Sequence, residues 1–157
     1  MIIKTDMKKL SITVFFSFIA ALAFGQIENP VAWSYEAKRK TENTYEIILT
    51  AVLEHPWHLY SQNTEKGGPI PTEIKFKPNP LVSVKPGKWK EIGKMEKMKD
   101  ENFGVMVSSY GEKVQFVQTV TVKGKIKTNI AGTVEYMVCN DTRCLPPTKK
   151  SFDLKLQ

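Results

Sequence analysis

The sequence predicts an all-β protein folded as an antiparallel β-sandwich. Apolar residues occupy every second position of the segment 44–54: Tyr45, Ile47, Leu49, Ala51 and Leu53. Period two over that length is typical of strands with one buried face. No segment shows a sustained helical period, and turn signals such as Pro86-Gly87 and Lys123-Gly124 recur between the alternating runs.

The first element in chain order is a secretory signal peptide over residues 1–25. Two lysines, Lys8 and Lys9, precede an apolar run over 10–24, and small residues stand where a signal peptidase cleaves. The run of about 15 residues is shorter than the ~20 that a membrane-spanning helix needs. We therefore expect cleavage after residue 25, one mature domain over 26–157, and a periplasmic or otherwise secreted product without membrane insertion.

Short strands follow along the rest of the chain. Period two predicts them over 31–40, 44–54, 73–77, 81–85, 114–122, 126–138 and 151–156. Many short strands with frequent turns in a domain of this length favour a sandwich. The connections 55–71 and 87–104 are predicted to be irregular, and long loops in a compact domain are often functional.

Charge argues against one class of partner. The formal net charge is +7, and the lysines are scattered among Asp and Glu without interleaved aromatic residues. A nucleic-acid surface needs a basic stripe or stacking platforms, so we expect no nucleic-acid binding.

The only two cysteines, Cys139 and Cys144, flank a four-residue loop in which Asn and Asp lead. Such a loop suits a hairpin built on a type I turn. The cysteines would then face each other across the last strand pair, within disulfide range. Pro146 and Pro147 lack a backbone donor, so this arm is predicted to lie at an accessible sheet edge.

Three interpretations of the pair stay open from the residues alone: redox exchange, a structural staple, and metal binding. A ring of about six residues constrains the unfolded chain by only about 2 kcal/mol, against about 4.7 kcal/mol for a ring of ~100 residues. A staple here would be weak. Cu(I) binding with Met95 and Met98 lacks a third ligand at fixed spacing. Arg143 either favours the thiolate of its neighbour by its charge or is a solvated turn residue.

At these residues the chain resembles the N-terminal periplasmic domain of the thiol:disulfide interchange protein DsbD, including its stand-alone forms. The most specific part is 139–148, where paired cysteines, an apolar residue and two prolines follow one another. Trp57-His58-Leu59-Tyr60 is similar to the aromatic strand near the cysteines of that family, and 100–104 is similar to its cap loop. The best-known members have a longer loop between the cysteines.

The resemblance implies an immunoglobulin-like sandwich in which Cys139 and Cys144 are the redox pair. It implies that Cys144 forms the mixed disulfide, that His58 and Tyr60 line the site, and that Phe103 shields it. The alternatives are a core position for Tyr60 and Trp57, a surface position for His58 and a loop anchor for Phe103.

The resemblance also implies a relay that passes electrons between other proteins of the cell envelope. We expect a separate membrane reductant, thioredoxin-like partners, a monomer, and neither an organic cofactor nor a metal. The competing hypothesis is a non-enzymatic immunoglobulin-like binding module whose disulfide is only structural.

Overall fold

The computed structural model describes residues 28–157 apart from Lys66 and Asn102. The predicted signal peptide and its cleavage position lie outside the described residues. Within the described part of the chain, no helix is long and apolar enough to cross a membrane.

The regular elements of the described residues are twelve β-strands, and every pairing among them is antiparallel. They are β1 (Val31–Arg39), β2 (Thr44–Leu53), β3 (His58–Tyr60), β4 (Glu73–Phe76), β5 (Val82–Val84), β6 (Lys90–Gly93), β7 (Glu96–Lys99), β8 (Met106–Tyr110), β9 (Lys113–Val122), β10 (Thr128–Tyr136), β11 (Val138–Cys139) and β12 (Thr148–Leu156). The predicted all-β antiparallel sandwich is confirmed.

Three sheets arrange these strands. The first has the order β1-β2-β9-β5, with β6 also paired to β9, and the second has the order β12-β10-β4. The third has the order β11-β3-β8-β7. The third sheet is the one that carries a cysteine, so it positions the candidate site.

The main core draws on all three sheets, and most of its buried side chains come from the first and second sheets. Its largest fully buried side chains from those sheets are Ile47, Leu49, Phe116, Ile130, Tyr136 and Leu156. Trp33 packs across the interior, with ring centroids 6.1 Å from Phe116 and 5.2 Å from Tyr136. Burial of each large apolar side chain stabilises the fold by about 1.5–3 kcal/mol, so this core carries most of the stability.

One glycine marks how closely the second sheet packs. A Cβ at Gly132 would lie 2.4 Å from Phe152 Cζ and 2.6 Å from the Lys75 carbonyl oxygen. These distances are too short for any side chain. Gly132 therefore leaves room for the Phe152 ring against the central strand of that sheet.

The two connections predicted to be irregular contain strands. The segment 55–71 contains β3, and 87–104 contains β6 and β7. The strand β6 pairs with β9, and its side chain Glu91 accepts hydrogen bonds from Ser61 Oγ at 2.7 Å and Tyr110 Oη at 2.8 Å. These polar contacts leave no apolar alternation in the sequence. All of β7 is exposed, so its sequence carries no period-two signal. The period-two pattern does not predict β8 either.

Candidate functional site

The cysteine pair forms a disulfide that closes a tight loop. Cys139 and Cys144 are bonded, with their Cα atoms 4.0 Å apart, and they form an isolated antiparallel bridge. Asn140 organises the loop, because its Oδ1 accepts from the amides of Thr142 at 3.0 Å and Arg143 at 2.9 Å. The predicted hairpin-like turn led by Asn is therefore confirmed.

The predicted position of that hairpin in the last strand pair is wrong. The last strand pair is β10–β12, and its register ends at Tyr136 opposite Thr148. Cys139 belongs to β11, which pairs with β3 in the third sheet. Pro146 and Pro147 have no N–H to donate, so the β10–β12 ladder ends at Thr148. The chain that follows β10 continues as β11 in the third sheet. Both prolines are exposed, as the predicted edge requires.

The two cysteines differ in exposure. Cys139 is fully buried, whereas Cys144 is half-buried and follows the exposed loop residues. Cys144 is therefore more accessible from solvent than Cys139.

The register of β3 places His58 and Tyr60 on the same face as Cys139. His58 is the cross-strand neighbour of Cys139, and Tyr60 lies two residues further along β3. Alternate residues of a strand share a face. Leu59 and Trp57 belong instead to the main core, so the core alternative holds for Trp57.

A second apolar cluster surrounds the pair. Its buried members are Tyr60, Val107 and Cys139, and its partly buried members are Phe103, Val105, Met137 and Cys144. Four of the five predicted site residues thus meet in one cluster: Cys139, Cys144, Tyr60 and Phe103. His58, the fifth, joins them through a hydrogen bond between its Nε2 and Tyr60 Oη at 3.1 Å.

The turn between β7 and β8 places Phe103 against this cluster. Asp100 closes the turn with its backbone, donating to the Val105 carbonyl at 2.9 Å and accepting from the Gly104 amide at 2.7 Å. Asp100 Oδ1 also accepts from the Phe103 amide at 3.3 Å. Gly104 has a φ of 72°, a left-handed conformation that favours glycine.

Asp100 lies in the segment 100–104 that resembles the cap loop, but the sequence assigns it no role in the candidate site. It is buried, and its Oδ2 accepts a hydrogen bond from Tyr60 Oη at 2.5 Å. The two residues lie 40 positions apart, so no local pattern joins them. The available signal was the aspartate at the start of a turn, a position where Asp often bonds nearby amides.

Burial shapes the acid–base behaviour of the site. Desolvation, together with the hydrogen bond to Asp100, raises the pKa of Tyr60 well above its ordinary value, so its hydroxyl stays protonated. Desolvation lowers the pKa of His58, while the charges of Asp100 and Asp141 act in the opposite direction. Burial and the neighbouring carboxylates therefore shift the pKa of His58 in opposite directions, and burial has the larger effect.

Arg143 is exposed but has two partners. Its guanidinium forms an ion pair with Glu28 and lies 5.8 Å from the centroid of the Trp57 ring. The thiolate-favouring role predicted for Arg143 stays a prediction, since these contacts hold the side chain at the base of the loop.

Two cavities flank His58. One of about 190 Å³ is lined by His58, Met98, Asp100, Asn140 and Asp141 among others, and one of about 390 Å³ lies towards Trp57 and Glu96. Among the described residues, no group of three or more His, Cys, Asp or Glu side chains could hold a metal ion. Both cavities give solvent access to His58.

Comparison with known proteins adds a family match. Residues 26–156 match the family model described as the N-terminal part of thiol:disulfide interchange protein DsbD. None of the curated proteins matches the chain in sequence.

Two solved structures from Neisseria meningitidis are similar in fold. The DsbD N-terminal domain in its reduced form is 18% identical, with a TM-score of 0.53 over 78% of this chain and 84% of that chain. The complex between the DsbD N-terminal and PilB N-terminal domains is 16% identical, with a TM-score of 0.51 over 85% and 91%.

Proposed function

We infer, since the chain belongs to the family of the N-terminal domain of thiol:disulfide interchange protein DsbD, that it relays electrons by thiol–disulfide exchange at Cys139 and Cys144. The observation that carries this proposal is the setting of the disulfide. It closes a short loop outside the main core, exposes part of Cys144, and is packed against Phe103. A disulfide so placed contributes little to stability and is accessible to exchange.

The proposed reduction of the pair by a partner dithiol takes place in two steps. A thiolate of a reduced partner attacks Cys144 Sγ, the Cys139–Cys144 bond breaks, and Cys139 leaves as a thiolate that takes up a proton. The second thiol of the partner then attacks the partner sulfur of the mixed disulfide, which forms the partner's disulfide and releases Cys144 as a thiolate that takes up a proton. The partner is oxidised by two electrons, and the pair gains two electrons and two protons.

Delivery of electrons reverses these roles. The Cys144 thiolate attacks the disulfide of an oxidised recipient, and Cys139 resolves the mixed disulfide by attacking Cys144 Sγ. Phe103 acts as the cap, while His58 and Tyr60 line the site. The greater exposure of Cys144 supports its role as the attacking sulfur.

The proposed partners are thioredoxin-like proteins of the envelope and a separate membrane reductant. In support, the N. meningitidis DsbD N-terminal domain has been solved in complex with the PilB N-terminal domain. We place the protein in the periplasm, after cleavage behind residue 25. The intact mass of protein recovered from the envelope should correspond to a chain starting at Gln26, and an uncleaved mass would contradict this.

Trapping with single cysteine variants tests the relay. Cys139→Ser leaves Cys144 without its resolving thiol, so it should accumulate a mixed disulfide with an envelope protein or with a purified thioredoxin-like domain. Non-reducing electrophoresis followed by mass spectrometry identifies the adduct.

The matched control is Cys144→Ser, which keeps only the buried Cys139 and should trap far less. If neither variant captures a partner, the relay proposal fails. A reduction potential below about −300 mV would then support the structural disulfide of a binding module, because exchange proteins lie between about −120 and −270 mV.

A further inference from the structure

A continuous chain of hydrogen bonds connects His58 to the turn that carries Phe103. His58 Nε2 lies 3.1 Å from Tyr60 Oη, and the Tyr60 hydroxyl donates to Asp100 Oδ2 at 2.5 Å. The other carboxylate oxygen of Asp100 accepts from the Phe103 amide at 3.3 Å. The Asp100 carboxylate therefore joins the sheet beneath the cysteine pair to the turn above it.

The protonation state of His58 decides which way the hydrogen bonds of this chain can run. A protonated ring has only donors, so Nε2 must donate to Tyr60 Oη, and the Tyr60 hydroxyl then donates to the Asp100 carboxylate, which can only accept. A neutral ring can present a lone pair at Nε2. The single hydroxyl hydrogen of Tyr60 then has two competing acceptors, His58 Nε2 and Asp100 Oδ2.

We propose that Asp100 positions the Phe103 turn over the cysteine pair and that His58, acting through Tyr60, makes this hold depend on pH. With the ring protonated, the Tyr60 hydroxyl donates its hydrogen bond to Asp100 and the turn is held. With the ring neutral, His58 Nε2 competes as an acceptor for that hydrogen bond, and the contact with Asp100 weakens. This inference rests on the proposed exchange function, in which the turn limits access to the pair.

Several charged groups surround the ring. The carboxylates that act on it are those of Asp100, Asp141 and Glu96, and the two cavities add Glu101, Glu112, Lys94, Lys99 and Lys113. Burial lowers the pKa of His58 from its ordinary value, and the carboxylates oppose that shift. The turn is therefore held more firmly in acid and released as the pH rises towards neutrality.

Reduction of the oxidised protein by dithiothreitol tests this coupling. Rates are measured from about pH 5 to about pH 8, across the usual range of histidine titration. The wild-type rate divided by that of His58→Gln at the same pH cancels the ionisation of the reagent. We expect this ratio to rise about threefold to tenfold with pH, the scale of one hydrogen bond.

His55→Gln is the matched control, because His55 is the only other histidine and is exposed. It should follow the wild-type profile. A ratio for His58→Gln that stays flat with pH would overturn the role of His58.

Substitutions of Asp100 separate anchoring from titration. In Asp100→Asn, the amide can donate to Tyr60 Oη while its oxygen accepts from Phe103, and Tyr60 can then donate to a neutral His58. These three hydrogen bonds are then made with a neutral ring, so reduction should be slow at all pH values. Asp100→Ala removes the anchor and should speed reduction several-fold at all pH values. A wild-type profile in Asp100→Asn, or no acceleration in Asp100→Ala, would contradict the proposal.

Tyr60→Phe provides an independent check that His58 acts on Asp100 through the Tyr60 hydroxyl. It removes the hydroxyl but keeps the ring in the apolar cluster, so His58 should lose its influence on the reduction rate. A pH dependence that persists in Tyr60→Phe would show that His58 acts by another route.

These measurements stand apart from the test of the proposed function. Dithiothreitol requires no partner protein, so the pH profiles can be obtained whether or not the cysteine variants trap one. Failed trapping with a wild-type profile as described would remove the relay but keep the coupling. Successful trapping with flat profiles would keep the relay and remove the coupling.

Discussion

Cys139 and Cys144 are chemically identical but sit in different surroundings. Cys139 is enclosed by Tyr60 and Val107, whereas Cys144 borders the exposed loop. Because Cys139 is fully buried, solvent and partner thiols reach Cys144 more readily. This difference gives the proposed exchange a direction, with Cys144 reacting first with partners.

Phe103 is the residue whose removal should most directly expose the pair. It packs half-buried against the cluster that contains both cysteines. If its packing contributes about 1 kcal/mol to holding the turn closed, Phe103→Ala should speed reduction by a small thiol about fivefold. Stopped-flow measurement of thiol reduction, with unfolding curves recorded in parallel, checks this.

Met106→Ala is a suitable control for Phe103→Ala, since Met106 is 55% exposed on the adjacent strand. Its reduction rate should equal that of the wild type. An unchanged rate in Phe103→Ala would remove Phe103 from the proposed cap.

The residues that the sequence identified are those whose chemistry is local. The paired cysteines, the Asn-led turn and the prolines interact within ten positions, so their spacing predicts their arrangement. Asp100 and Tyr60 become neighbours only through the third sheet. Their hydrogen bond, and the extension to His58, depend on strand pairings that no spacing in the sequence specifies.

At the scale of elements, burial decided which strands could be predicted. The strands β2 and β9 alternate between buried and half-exposed residues, and the sequence located them to within one residue at either end. The strand β7 buries nothing and is held by pairing with β8 alone. A hydrophobic pattern cannot reveal a strand of that kind.

The boundary between β10 and β11 shows how prolines redirect an element. The alternation continues from 126 to 138, so the sequence predicts one strand. The structure instead ends β10 at Tyr136, opposite Thr148, because residues 146 and 147 offer no donors. This break transfers Cys139 to the third sheet, beside His58 and beneath the Phe103 turn.

At the scale of the whole molecule, the cysteine pair and the main core are separate. The main apolar cluster draws on all three sheets but contains neither cysteine among its buried members, although half-buried Leu145 packs against it. The cluster around the pair is smaller and lies on the opposite face of the third sheet. Opening the disulfide therefore leaves the contacts that hold the sandwich together in place.

This separation predicts that the protein stays folded when the disulfide is reduced. A ring of about six residues restricts the unfolded chain little, so reduction should lower the free energy of unfolding by only about 2 kcal/mol. Guanidinium unfolding of the oxidised and reduced forms, followed by the fluorescence of the three tryptophans, measures the difference. The double variant Cys139→Ser/Cys144→Ser is the control and should resemble the reduced form. A reduced protein that unfolds without denaturant would instead identify the pair as a structural staple, since a relay must remain folded in both redox states.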